Sequence, residues 1–76
     1  MIKINAINIV CRLKTFEQMN ALGNLCQTSD IVSNGKTMIK KCQNTIDNKE
    51  LSTFRKQVAE IANVTPALVY FDYSEI

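Results

Sequence analysis

Residues 47–73 constrain this chain more than any other stretch. An amphipathic helix is followed by Asn63-Val64-Thr65-Pro66 and then by the apolar run Ala67-Leu68-Val69-Tyr70-Phe71. In the helix, Leu51, Phe54, Val58 and Ile61 step by three, four and three, which is the spacing of a core-facing stripe. Lys49, Lys56, Gln57 and Glu60 cover the opposite face, and Asp47 is placed to cap the start with Glu50 in the first turn. If the run after Pro66 is a strand, the chain is a mixed domain with a sheet. If it is a second helix, the chain is mostly helical.

The rest of the chain favours the sheet. Ile2, Ile4 and Ala6 alternate with Lys3 and Asn5, the period of a half-buried strand. From Ile7 the phase switches to Ile7, Ile9, Cys11 and Leu13, and a bulge near Ala6 would turn both halves toward one core. Thr15-Phe16-Glu17-Gln18 has the form of a capping box. Behind it Phe16, Met19, Leu22, Leu25 and Cys26 fall on one side of a helix that ends near residues 27–29. Gly23 weakens that helix by about 1 kcal/mol relative to Ala, a cost explained by close packing. Asn34-Gly35 is the strongest turn signal and predicts a hairpin between Ile31-Val32 and Thr37-Met38-Ile39. The stripe Met38, Ile39, Cys42 and Ile46 would also suit a helix, which is the competing reading of residues 36–46.

Residues 58–69 resemble the helix-turn-helix pattern of bacterial regulators. Ala59 stands where two helices would cross, Asn63 where a turn residue belongs, and Val64 and Val69 at buried positions. Thr65-Pro66 suits a helix start, as N-cap and first helical residue. Charge argues against that resemblance, because a recognition helix sits among phosphates and draws its affinity from Lys and Arg. After Lys56 the chain has no basic residue, while it has Glu60, Asp72 and Glu75. Leu68-Val69-Tyr70-Phe71 is β-branched and aromatic, as strands are, and Pro66 suits the first residue of an edge strand. The expected fold is therefore α+β: one domain over residues 1–76, in the βαββαβ ferredoxin-like order. It has an antiparallel sheet, both helices on one face, and the second and last strands at the edges. The alternative is a mostly α chain with a C-terminal helix-turn-helix.

Composition removes several kinds of chemistry. With no histidine, the commonest general base and metal ligand are missing. Cys11, Cys26 and Cys42 are odd in number and far apart, unlike a disulfide framework or a zinc site, and read as reduced thiols among apolar neighbours. The seven carboxylates are scattered. Gly35-Lys36-Thr37 ends like a phosphate-binding loop, but Asp30 replaces its first glycine. The first and third strands lack the aromatics on which RNA binders of this arrangement stack bases. The expectations are no catalysis, no cofactor and no metal. No signal-like or membrane-spanning run is present, so a cytoplasmic location and no membrane contact are expected. Richness in Ile, Asn and Lys is compatible with an AT-rich phage or other mobile element.

Two surfaces remain as candidates. Residues 1–56 hold nine basic and four acidic side chains, and Lys36, Lys40, Lys41, Lys49, Arg55 and Lys56 make a basic segment. The last strand offers Leu68, Tyr70, Asp72 and Tyr73; alternation sends Leu68, Tyr70 and Asp72 away from the core and Val69, Phe71 and Tyr73 toward it. The leading expectation is a non-catalytic module that binds another protein, or a second copy of itself, through that strand, as a regulator, inhibitor or accessory subunit. A nucleic-acid-binding regulator using the basic segment or the helix-turn-helix is the alternative.

Overall fold

One long strand, β1 (Lys3–Cys11), organises the domain. The computed structural model describes residues 3–28, 31–33, 37–41 and 46–75. After β1 come helix α1 (Phe16–Cys26), β2 (Ile31–Ser33), β3 (Thr37–Lys41) and the two-residue β4 (Ile46–Asp47). A 3-10 turn (Asn48–Glu50) leads into α2 (Leu51–Ala62), and a second 3-10 turn (Pro66–Leu68) precedes β5 (Tyr70–Glu75). The result is a small α+β domain with an antiparallel sheet and two helices.

β1 pairs with β3 and, beyond it along the same strand, with β4; β5 pairs with β1, and β2 pairs with β3. Every pairing is antiparallel. Asn5 stands opposite Ser74 and Ile7 opposite Tyr73, so Ala6 is an extra residue on β1. That bulge is where the apolar phase of the sequence switches. Beyond it Ile7, Ile9 and Cys11 are buried, while Asn8 and Val10 are half-buried. Ser33 stands opposite Thr37, so the segment expected to form the hairpin strands is paired as expected. The turn residues Asn34 and Gly35 lie outside the described residues, as does Cys42.

Helix α1 starts on a complete capping box. The Gln18 N–H donates to the Thr15 hydroxyl, while the Thr15 and Lys14 N–H groups donate to Gln18 Oε1. Both helices end by the same device: a left-handed residue, Gln27 (φ 55°) or Asn63 (φ 56°). The next N–H reaches back into the last turn, Thr28 to the Gly23 carbonyl and Val64 to the Ala59 carbonyl. Asn63, which the helix-turn-helix resemblance puts in a turn, fills the left-handed position that asparagine tolerates best after glycine. Gly23 has a packing role: a Cβ there would lie 3.0 Å from the Thr28 carbonyl oxygen and 3.1 Å from Ile31 Cδ1.

One cluster joins the layers: Ile7, Ile9, Cys11, Ile39, Val69 and Phe71 from the sheet side meet Leu22, Cys26, Leu51, Phe54, Val58, Ala59 and Ala62 from the helices. The α2 stripe is thus buried as its spacing predicts, with Ile61 packed at its margin. Phe54 meets Phe71 at 5.5 Å between ring centroids, and the next residue, Arg55, lays its guanidinium carbon 5.0 Å above the same ring.

Three sequence expectations are corrected. Phe16 is 71% exposed: as the first helical residue, it lies at the open end of the stripe rather than over the core. Asp47 ends β4 and its carboxylate accepts from the Lys49 N–H, so it caps the 3-10 turn, while α2 itself begins without a side-chain cap. The last strand begins at Tyr70, not Ala67. Thr65 and Pro66 open a single helical turn, closed by the Leu68 and Val69 N–H groups donating to the Thr65 and Pro66 carbonyls.

Two substitutions test this packing. Phe54→Ala removes a buried ring and its partner contact, and should lower stability by about 3–5 kcal/mol, read as a fall in the urea midpoint. Gly23→Ala, which in an open helix would gain about 1 kcal/mol, should instead lower the midpoint, because the methyl meets backbone at Thr28.

Candidate functional site

Alternation along β1 directs Ile7, Ile9 and Cys11 to the helices and leaves Asn8 and Val10 on the other face. Val10 stands opposite Met38 of β3 on one side and Tyr70 of β5 on the other, and Met38 stands opposite Val32 of β2. An apolar row therefore crosses the sheet in register. Met38 is 57% exposed and Tyr70 66%. The adjacent row is polar, with Asn8 opposite Lys40 and Asp72. An open sheet face is normally polar throughout, so the apolar row is the departure that calls for a cause.

The row deepens into a groove at the Tyr70 end. The 3-10 turn sets Leu68 outward at 65% exposure, with Val69 buried behind it. Val10, Val64, Leu68 and Tyr70 give the groove its apolar walls, and Arg12 and Lys14, both exposed, line it where the chain leaves β1. Its volume is about 520 Å³. Cys11 also borders it, but the side chain is only 3% exposed and burial pushes its thiol pKa up. At neutral pH that sulfur is a protonated, weakly nucleophilic thiol.

The candidate residues from the last strand are divided. Tyr70 and Asp72 share the open face, and Leu68 joins Tyr70 in the groove. Tyr73 stands opposite the buried Ile7, toward the helix layer, and is 36% exposed. The basic segment is not one surface. Lys49 and Lys56 are exposed on the α2 side, and Arg55 is drawn over Phe71. Lys40 and Lys41 belong to β3, across β1 from β5, and Lys36 lies outside the described residues. Sequence reasoning passed over Val10, Met38, Arg12, Lys14 and Val64. The first two were signalled: placing Ile7, Ile9 and Cys11 inward leaves Val10 outward, and pairing β1 with β3 sets Met38 beside it. The groove was not signalled, because its walls meet only once the turn at Pro66 is known.

Among the described residues no group of three or more Cys, Asp or Glu side chains is arranged to hold a metal, and no helix is long and apolar enough to cross a membrane. Burial makes a direct prediction for the thiols. Cys11 and Cys26, which is 1% exposed, should resist alkylation by iodoacetamide at neutral pH in the folded protein and react once urea unfolds it, as read by mass spectrometry. Comparison with known proteins finds no matching family model, no matching curated protein and no matching solved structure.

Proposed function

We propose that this chain is a small, non-catalytic protein-binding module of ferredoxin-like βαββαβ arrangement, which docks another protein on the open face of its sheet. The single observation that carries this reading is the apolar row Met38–Val10–Tyr70 running into the Leu68 groove. Three large apolar side chains there are more than half exposed, on a face that neither helix covers. Contiguous apolar surface rimmed by polar groups marks an interaction site, and tyrosine and methionine are favoured anchors. The strand order, with β1 and β3 central and a helix in each crossover, supports the ferredoxin-like assignment. The lack of histidine supports a role by contact rather than by acid-base chemistry. Such a module acts as a regulator, inhibitor or accessory subunit of what it binds.

The test is affinity capture from the native host, comparing the wild-type chain with Leu68→Lys and Tyr70→Ala. Both substitutions should abolish recovery of the partner while leaving the far-UV circular dichroism unchanged. Binding should persist as salt is raised, since an apolar contact releases few counterions. Recovery undiminished by either change, together with loss on Lys40→Glu plus Lys41→Glu and steep salt sensitivity, would instead identify a nucleic-acid surface on the basic segment.

A further inference from the structure

The burial pattern of β1 continues past its last paired residue. Cys11 and Leu13 are each 3% exposed, whereas Arg12 and Lys14 are exposed. Such alternation belongs to an extended chain, so Val10, Arg12 and Lys14 follow one another on the side away from the core. All three line the groove that Val64, Leu68 and Tyr70 wall on its other side. The groove is therefore graded along its length. It is apolar where Val10 stands opposite Tyr70, and cationic where the chain runs on toward α1. Among the described residues its lining holds two cations and no carboxylate. Asp72, exposed on the same face of β5, stands opposite Asn8, on the other side of Val10 from Arg12.

We infer that this groove receives an extended segment of a partner protein, in which a large apolar residue and two carboxylates occupy alternate positions. The inference rests on the protein-binding reading of the open face and names the chemistry of the partner. Charge complementarity selects the carboxylates, and the period of two selects their spacing. Side chains two apart on an extended chain project to one side, about 6.5–7 Å apart along it. Arg12 and Lys14 thus match Asp or Glu at positions i and i+2 of the occupant. The apolar residue lies over Val10, between Leu68 and Tyr70, where it continues the apolar row. Asp72 repels the acidic end and so directs it toward Arg12 and Lys14.

The volume, about 520 Å³, lies within the range of sites that enclose a ligand or several side chains. A nucleic-acid strand would also be drawn to the two cations, but its bases stack on aromatic platforms. The apolar walls here are aliphatic apart from Tyr70. Because both cations are exposed, they set selectivity more than strength, and apolar burial supplies most of the affinity.

Chemical-shift titration of the isotope-labelled full chain tests the inference. The probes are end-blocked peptides with one phenylalanine and two glutamates at alternate positions and serines between, made in both orders, and their glutamine counterparts. The better glutamate peptide should shift the amide signals of Val10, Arg12, Val64, Leu68 and Tyr70. It should bind about fivefold more tightly than its glutamine counterpart at low salt. That advantage should vanish at high salt, while the binding common to both peptides remains. With Arg12→Gln plus Lys14→Gln the two peptides should bind alike. With Arg12→Glu plus Lys14→Glu the preference should pass to a lysine peptide, which also shows that this variant is folded. The inference is overturned if no peptide shifts the groove signals at millimolar concentration, or if the wild-type chain binds the glutamate and glutamine forms equally. A neutralised variant that keeps the preference overturns it, as does a thymidine oligonucleotide that binds the groove where the acidic peptide does not. Host-partner capture separates the two readings. Capture retained by Arg12→Gln plus Lys14→Gln but lost with Tyr70→Ala leaves docking on the open face standing and removes the acidic segment from it.

Discussion

The pairing of β1 on both sides is the constraint from which the rest of the structure follows. Among the described residues no other strand touches more than two neighbours, while β1 meets β3, β4 and β5. Its alternation therefore decides which face of the sheet the helices cover. The extra residue at Ala6 is essential to that decision, because a period of two permits no other way to switch the apolar phase within one strand. Past the bulge, Ile7, Ile9 and Cys11 face Leu22, Cys26 and Val58. The same alternation leaves Val10 on the uncovered side. The core and the candidate site are two readings of one strand.

α2 is tied to the sheet's edge by a local contact of a different kind. Successive residues, Phe54 and Arg55, both engage the Phe71 ring, one with its ring and the other with its guanidinium. A helix places neighbouring side chains about 100° apart, so a single partner can be touched by both only if it lies at the border of the helix's buried face. β5 occupies that border. The Arg55 side chain is consequently half-buried, with its guanidinium over the Phe71 ring. This geometry removes Arg55 from the basic segment that its sequence neighbours suggested.

What could be read in the sequence divides along the range of the interactions involved. Local devices were legible: the capping box at Thr15, the stripe from Leu51 to Ile61, the end of α1 near Gln27, and the phase change at Ala6. Each depends on residues within one or two turns of each other. The antiparallel α+β class was legible too, from the contrast between 3.6- and 2-residue periods. Misplaced features depended on where chain segments cross. Phe16 has the spacing of the α1 stripe but lies beyond the edge of what the sheet covers. Ala67 and Leu68 are apolar enough for a strand, yet Pro66 fits the first position of a helical turn equally well, and the chain takes that turn before entering β5. Local preference there was balanced, and the turn leaves Val69 and Phe71 buried in the cluster with α2. The groove between Val10 and Leu68 follows from that outcome and has no local signature.

The two helices cover one face of the sheet, where Ile7, Ile9 and Cys11 are buried. The uncovered face must then be made compatible with water, and alternation normally achieves this by placing polar residues at every second position. This chain does so in the row through Asn8 and Asp72 and not in the row through Val10. Exposing Met38 and Tyr70 in register adds at most about 0.2–1 kcal/mol per cross-strand pair to the isolated sheet, a gain that the pairing of Thr with Thr or Ser can also supply. Aligned across β3, β1 and β5, and continued by Leu68, the exposed groups form one surface rather than scattered exceptions. Scattered apolar groups need no explanation, but a contiguous row costs solubility wherever it is uncovered. Its position on the face that the helices leave free is the observation that supports the docking proposal.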